Sequence, residues 1–239
     1  MLAATRRVLP IVVLVLSMAV PAAAVSVNVP GTANIFGSGH SIPPAPDGGG
    51  GGTPSPMTLL PAGPFRVIQF DSVTGIVGCC GNLPGVENGP DGGFFGGPPT
   101  DILSYGGIGG IIHRQRTLFL VGVFLDDSEP ADPAPLRLDF GGGGIEDNFA
   151  ELSPQLRQVF FIGDGLTGTG TGTAQVFRVP AGATRFFLGF ADSFDFGHPS
   201  SYPGWYDDNI GSLSATFTVS TSPTGTVRSS WGTLKGIYR

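Results

Sequence analysis

Glycine and proline set the strongest limit on how this chain folds. Of its 239 residues, 40 are glycine and 22 are proline, about twice their usual combined share. Helices tolerate both residues poorly and lysine occurs once, at Lys235, so the sequence argues against a helix-rich fold. Hydrophobic residues nevertheless make up 41% of the chain and charged residues only 13%, which argues against disorder. Short β-strands joined by many turns satisfy both observations.

Three segments carry the pattern expected of buried strands. Residues 118–125 and 184–191 are largely apolar and bounded by turn residues, and residues 212–219 alternate apolar and polar side chains with period two. Strands separated by turns at this density predict one all-β domain over residues 25–222, with a short tail at 223–239. We predict a β-sandwich of the jelly-roll or galactose-binding-domain-like type.

A long loop is predicted at residues 37–64, where glycines and prolines are concentrated. It contains five consecutive glycines at 48–52. Because glycine has no side chain with which to pack, we expect this glycine tract to be exposed and poorly ordered.

The first 24 residues have the order of a secretory signal peptide. Arg6 and Arg7 precede an apolar run at 8–20, and a small-residue segment ends at Ala24. A membrane anchor is the alternative, but the run contains Pro10 and is shorter than the roughly 20 residues that span a bilayer. We therefore predict cleavage near Ala24, a secreted or extracellular product, and no membrane insertion.

Net charge and motif content exclude several classes of function. Removing the two arginines of the leader leaves 10 basic against 18 acidic residues, a net charge of −8. Such a chain has no basic patch for phosphates, which excludes nucleic acid as a partner. The histidines, His40, His113 and His198, lie in unrelated settings, and no G-x-S-x-G nucleophile motif occurs. We therefore expect a protein that is not an enzyme.

The only two cysteines are adjacent, at Cys79 and Cys80. Neighbouring Cα atoms lie about 3.8 Å apart, which is closer than in an ordinary disulfide. Two free thiols in or beside a strand are the simpler interpretation, and a strained vicinal disulfide is the second one in an oxidising compartment. The pair alone is a poor metal site, because structural zinc needs four ligands and no second Cys or His cluster is present.

The acidic loop between the last two predicted strands is the best candidate for a binding site. Residues 192–211 contain four aspartates and Asn209. Oxygen ligands on a loop suit calcium, and the adjacent charges of Asp207 and Asp208 repel each other unless a cation lies among them. A plain solvated loop is one alternative. A glycosidase pair of Asp192 and Asp208 is another, but an amide beside several aspartates favours a hard cation.

The end of the chain resembles the calcium-dependent bacterial lectins of the LecA/PA-IL type. The resemblance rests on GATRFFLGFAD at 182–192, where a strand ends in Asp, and on YDDNIGS at 206–212, which leads into the last strand. The opening segment VPGTANIFG at 29–37 is also similar, whereas the middle of the chain matches only loosely. Such domains occur in secreted bacterial proteins that often carry a PEP-CTERM sorting tail, which is not found in this sequence.

The resemblance implies a calcium ion to which a carbohydrate binds through two neighbouring hydroxyls. The metal ligands it implies are the side chains of Asp192, Asp208 and Asn209 and the backbone carbonyl of Trp205, with a second carbonyl near Cys79. The residues expected at the sugar are Asp91, Tyr202 and Tyr206, and Trp205 is expected to form an apolar platform with the two tyrosines, although aromatic residues beside a loop also pack into the core.

Two differences from the galactose-binding members are visible in the sequence. The loop from Asp192 to Asp208 is several residues longer, and Gly89 and Gly92 stand where those members contact sugar with His and Gln. Galactose specificity is therefore not implied. The alternative function is an extracellular matrix or cell-surface structural protein whose calcium only rigidifies the loop. The sequence leaves the oligomeric state open.

Overall fold

The computed structural model describes residues 24–81, 87–93 and 100–221. Within these residues the fold is all-β, as predicted, and the helical segments are three short 3₁₀ helices at Ile35–Gly37, Phe194–Gly197 and Tyr206–Asp208. No helix in the described part of the chain is both long and apolar enough to cross a membrane. Apart from Ala24, the predicted signal peptide lies outside the described residues, as does the predicted tail at 223–239.

The strands are short except for two. In chain order they are β1 (Ala24–Pro30), β2 (Ala33–Asn34), β3 (Thr53–Pro54), β4 (Met57–Leu59), β5 (Val67–Gly78), β6 (Glu87–Asn88), β7 (Thr100–Ile102), β8 (Ile111–His113), β9 (Val121–Leu125), β10 (Leu138–Phe140), β11 (Glu151–Leu152), β12 (Phe160–Phe161), β13 (Leu166–Gly168), β14 (Thr171–Ala174), β15 (Val176–Arg178), β16 (Arg185–Gly189) and β17 (Ile210–Ser220).

Two main sheets form the sandwich. The larger has the order β1-β17-β5-β15-β11, with β6 beside β5, and the smaller has the order β12-β9-β16-β4. The long strands β5 and β17 pair antiparallel, from Gly78 opposite Ile210 to Val67 opposite Ser220. A three-stranded sheet, β10-β8-β7, and the pairs β2-β3 and β13-β14 complete the architecture.

Phenylalanine side chains from both sheets form the core between them. Phe217 of β17 meets Phe186 of β16 edge to face, with ring centroids 5.5 Å apart, and Phe177 of β15 lies 5.4 Å from Phe160 of β12. All four side chains are buried. Aromatic pairs at these distances stabilise a fold by about 0.5–1.5 kcal/mol beyond the area they bury. Contacts between phenylalanine side chains therefore hold the two sheets together.

The three strongest strand predictions are confirmed, with shifted boundaries. They correspond to β9, β16 and β17, of which β9 and β16 are shorter than predicted. Leu118 has a left-handed backbone with φ of 50°, so the chain turns before β9 begins. The period-two pattern in β17 places Leu213, Ala215 and Phe217 in the core.

The glycine tract at 48–52 is only partly as predicted: Gly48 and Gly49 are exposed, but residues 50–52 are half-buried and the tract is bonded to the acidic loop. The amide of Trp205 donates to the carbonyl of Gly48 at 2.8 Å, and the amide of Gly52 donates to Oδ1 of Asp207 at 2.9 Å. Because glycine has no Cβ, the backbone of the tract approaches the acidic loop closely enough to form these bonds. The segment predicted as one long loop at 37–64 also contains the short strands β3 and β4.

Candidate functional site

A cavity of about 520 Å³ lies where β5 and β16 end and the acidic loop returns to β17. Residues that line it include Cys79, Cys80, Asp192, Phe194, Trp205 and Asp208. Its volume is typical of sites that bind small molecules. The fold thus brings together three of the four predicted metal ligands and the cysteine segment, which the sequence separates by more than a hundred residues.

Asp192 is a buried carboxylate, with only 3% of its surface exposed. It accepts hydrogen bonds from Nδ2 of Asn209 at 2.7 Å and from the amide of Ser193 at 2.8 Å. Burial raises the pKa of Asp192 to about 8 against the effect of these bonds, and the charges of Asp208 and Asp47 raise it further. Among the described residues no Lys, Arg or His forms an ion pair with it. At neutral pH the carboxyl of Asp192 is therefore mostly protonated, and a cation bound beside it would displace that proton.

The side-chain amide of Asn209 is hydrogen-bonded through its nitrogen, whereas its oxygen has no partner among the described residues. Its Nδ2 donates to Asp192 and to the carbonyl of Gly31 at 3.1 Å. Its Oδ1 is buried and has no hydrogen-bond partner among the described residues. Buried polar atoms are nearly always paired, so this unpaired amide oxygen is a candidate contact for a bound ligand.

Asp208 connects the acidic loop to the cysteine segment. Burial and the charge of Asp207 raise the pKa of Asp208, whereas a backbone hydrogen bond from Cys80 lowers it. The carbonyl of Asp208 also accepts a hydrogen bond from the amide of Gly81 at 2.9 Å. The second carbonyl expected near Cys79 thus falls in a segment that lines the cavity and is bonded to Asp208.

Cys79 and Cys80 are free thiols in the structure, in agreement with the simpler interpretation of the sequence. Cys79 is buried and Cys80 is half-buried, with a left-handed φ of 62°. Burial, a hydrogen bond with Cys80 and the negative charges of Asp192 and Asp208 raise the pKa of the Cys79 thiol. The pair forms part of the cavity wall, and Cys79 stays protonated at neutral pH.

Trp205 also lines the cavity. Its backbone is left-handed, with φ of 63°, and its ring lies 5.2 Å from that of Phe194. The indole Nε1 donates to the carbonyl of Asp47 at 3.1 Å, while Oδ2 of Asp47 accepts from the amide of Phe194 at 2.8 Å. No sequence pattern indicates Phe194 or Asp47 as part of the site, because Asp47 precedes the loop by about 150 residues.

Of the residues expected at the sugar, Trp205 lines this cavity, whereas Asp91, Tyr202 and Tyr206 do not. Tyr206 is fully buried, and its hydroxyl donates to the carbonyl of Phe190 and accepts from the amide of Asp192. Its predicted role as part of an apolar platform for the sugar is wrong, because its ring is buried. Its hydroxyl instead ties the acidic loop to the end of the strand β16 through Phe190 and Asp192. Tyr202 is half-exposed and its ring lies 5.8 Å from that of Tyr105.

Asp91 also lies outside the cavity lining. It is buried, and its Oδ1 accepts a hydrogen bond of 2.8 Å from the amide of Asp164. Its carbonyl accepts a second bond, of 3.2 Å, from Arg116. Asp91 therefore stabilises the turn at Asp164, just before β13.

The donor set fits a hard cation only if amide and carbonyl oxygens take part. In the described part of the chain, no group of three or more His, Cys, Asp and Glu side chains is arranged to hold a metal ion. Asp192 and Asp208 line the cavity, and Asn209, which is bonded to Asp192 from behind the lining, has an unpaired Oδ1. Mixed carboxylate, amide and carbonyl oxygens are the ligands that calcium takes.

Comparison with known proteins gives no match to a family model, to a curated protein or to a solved structure. The resemblance to LecA/PA-IL-type lectins therefore rests on the short segments quoted from the sequence. Since a fold alone does not determine a function, a function for this chain has to follow from the chemistry of the cavity.

Proposed function

We propose that this chain is a secreted, calcium-dependent carbohydrate-binding protein without catalytic activity. The observation that carries the proposal is the buried carboxylate of Asp192, which has no cationic partner among the described residues and contacts Asn209, whose Oδ1 is unpaired. Ionising this buried carboxyl is costly, which is why its pKa is raised, and a divalent cation beside it would remove that cost.

Four residues would hold the cation. Asp192 and Asp208 would supply carboxylate oxygens, Asn209 its amide oxygen and Trp205 its backbone carbonyl, with a further carbonyl from the segment at Cys79. When bound, calcium supplies coordination positions to two neighbouring hydroxyls of a sugar.

The protein's own contribution to the sugar would be an apolar wall. The rings of Trp205 and Phe194 lie 5.2 Å apart and both line the cavity. Aromatic faces of this kind pack against the C–H surface of a sugar ring, while the tryptophan keeps its N–H paired with Asp47. Trp205 was expected in this platform from the sequence, whereas Phe194 takes the place of the two tyrosines.

A structural protein is the second candidate, because the loop is tied to the fold at several points. The glycine tract, Asp47 and the hydroxyl of Tyr206 all bond to it. In that case calcium would neutralise Asp192 and fix the loop, and no sugar would bind. The two functions share the cation and differ only in the carbohydrate.

A calcium titration tests the cation site. With the protein first treated with EDTA, calcium at a hundredfold excess over its dissociation constant should stabilise the fold by about 2.7 kcal/mol. Asp208→Ala should abolish the calcium-dependent rise in melting temperature. Asp195→Ala, an exposed aspartate of the same loop, is the matched control and should keep most of the rise.

A glycan array separates the two functions. The calcium-loaded protein should bind at least one glycan class, and EDTA or Asp208→Ala should remove that binding. A silent array together with an intact calcium shift would favour the structural protein. The absence of any calcium shift would rule out both functions.

A further inference from the structure

The cavity at Asp192 has acidic side chains in its wall and no basic ones. Of the described residues that line it, Asp192, Asp195 and Asp208 are acidic and none is Lys, Arg or His. Asp47 lies beside the wall, where its Oδ2 accepts a hydrogen bond of 2.8 Å from the amide of Phe194. A cleft whose walls carry charges of one sign attracts ligands of the opposite sign and repels those of the same sign. The cavity therefore disfavours uronic acids and other anionic sugars.

Asp195 is the lining aspartate that a ligand reaches without displacing the proposed calcium. It is exposed, lines the cavity and forms no ion pair with any described Lys, Arg or His. It is also not one of the proposed calcium ligands. Its negative charge therefore stays available to a second positive group when the cation is bound.

The two rings of the apolar wall attract positive charge as well as C–H groups. The ring of Phe194 is accessible, since this residue is 62% exposed, and it is tilted by 51° from the indole of Trp205 at a centroid distance of 5.2 Å. The indole is held in place by the bond from its Nε1 to the carbonyl of Asp47. The face of an aromatic ring attracts an ammonium group within about 6 Å, and tryptophan does so most strongly. An ammonium group is thus the one ligand group that suits both the rings and the carboxylates.

Bound calcium would not make the site positive. Its two positive charges would lie among the carboxylates of five aspartates, namely Asp47, Asp192, Asp195, Asp207 and Asp208. A surplus of negative charge would remain near the rings, and opposite charges attract more strongly in a partly enclosed site than in bulk water. Calcium and one singly charged ammonium group are therefore compatible in this cavity.

We infer that the sugar bound at this cavity is an amino sugar whose amine is free and protonated. The inference rests on the proposed function, in which two neighbouring hydroxyls of the sugar coordinate the calcium. The ammonium group contacts the carboxylate of Asp195 and the rings of Phe194 and Trp205. A neutral sugar of the same stereochemistry lacks these contacts and binds more weakly.

NMR titration of the full chain with matched sugars tests this inference. The probes are glucosamine and galactosamine, each compared at pH 7 in saturating calcium with its parent sugar and with its N-acetyl derivative, which are uncharged. At least one amino sugar should bind about tenfold more tightly than its two neutral partners. The preference should shrink in 1 M sodium chloride, where charges are screened over about 3 Å.

Three variants test the contacts with the amine. Asp195→Asn should lower the ratio of amino-sugar to neutral-sugar affinity about threefold. Asparagine enters the left-handed backbone that Asp195 adopts, with φ of 47°, so the variant should fold and keep the calcium-dependent rise in melting temperature. Phe194→Leu should also lower the ratio about threefold, because leucine has no aromatic face. Asp71→Asn, at an exposed aspartate of β5 outside the lining, is the matched control and should keep the ratio.

Each failure has its own signature. Neutral sugars that bind in calcium as tightly as the amino sugars would overturn the inference and leave the proposed function intact. No binding of any probe, in calcium or in EDTA, would overturn both the inference and the carbohydrate-binding function. Amino sugars that bind equally well in calcium and in EDTA, with the ratio lowered in Asp195→Asn, would support the ammonium contact and overturn the calcium dependence. A ratio that neither Asp195→Asn nor Phe194→Leu changes would also overturn the inference.

Discussion

Nδ2 of Asn209 donates a hydrogen bond of 2.7 Å to Oδ2 of Asp192, across a loop that separates the two residues by 17 positions. The same amide group holds the carbonyl of Gly31, which follows β1. One side chain thus joins three parts of the chain, and its Oδ1 forms no hydrogen bond with any described residue. This relationship makes Asn209 the most informative residue to change.

Asn209→Asp should make the stability of the fold depend more strongly on calcium than that of the wild type. The substitution replaces a hydrogen-bond donor to Asp192 with a second buried carboxylate, and in EDTA it should lower the free energy of unfolding by about 2–3 kcal/mol or more. Saturating calcium should recover much of this loss. Thermal unfolding in EDTA and in calcium measures both effects. Asn148→Asp, at an exposed position, is the matched control for the added charge. Equal stability of Asn209→Asp and wild type in EDTA would contradict the proposed role of Asn209.

Gly52→Ala should destabilise the fold more than Gly170→Ala does, although both glycines have φ of 65°. A Cβ at Gly52 would lie 2.2 Å from the carbonyl oxygen of Thr32 and 2.5 Å from Cβ of Tyr206, whereas a Cβ at Gly170 has no neighbour within 4 Å. The left-handed backbone costs each variant about 1–2 kcal/mol. The clash should add about 1–3 kcal/mol at Gly52 only. Urea unfolding of both variants measures the difference, and equal losses would mean that the tract is not packed against Thr32 and Tyr206.

Asp147 should stabilise the fold above pH 4 and lose that effect in acid. Burial alone would raise the pKa of Asp147, but its contacts with His113 at 3.2 Å and with Arg116 at 2.8 Å outweigh burial and lower it. A group whose folded pKa is lowered stabilises the fold above its unfolded pKa of about 3.9, and this contribution is lost as the pH falls through the folded value.

Urea unfolding of wild type and Asp147→Asn between pH 3 and pH 7 measures that contribution. The variant should be less stable at pH 7, and the difference should shrink as the pH falls below about 4. Glu146→Gln, at the exposed neighbouring acid, forms no ion pair among the described residues and should follow the wild type. A difference between Asp147→Asn and wild type that stays constant with pH would contradict the predicted linkage.

Cys80 should react with iodoacetamide faster than Cys79. Burial of Cys79 both blocks access and raises the pKa of its thiol, so little thiolate forms at pH 8, whereas Cys80 is half-buried on the cavity wall. Peptide mapping by mass spectrometry after timed alkylation gives the two rates. In urea the rates should become similar. A native protein that is two hydrogens lighter until it is reduced would instead establish the vicinal disulfide.

Local pattern was sufficient to predict the class of fold and its principal strands. The alternation at Leu213, Ala215 and Phe217 and the apolar run in β9 are period-two and burial signals that neighbouring residues carry by themselves. The density of carboxylates in one loop is likewise a local signal, and it is enough to indicate Asp192 and Asp208. Calcium, secretion and jelly-roll connectivity stay predictions.

Long-range packing determined which side chains face the cavity. The sequence does not indicate the left-handed backbone of Trp205, because a non-glycine residue enters that conformation only when its surroundings hold it there. Trp205 and Phe194 therefore line the wall, and Tyr206, one residue further along, is turned into the core.

Only the tertiary structure assigns a role to the glycine tract. Five glycines in a row indicate a flexible loop until Trp205 and Asp207, more than 150 residues later, approach a backbone that has no side chains to exclude them. Hydrophobic periodicity records which face of a strand is buried, but it holds no information about which distant segment covers that face.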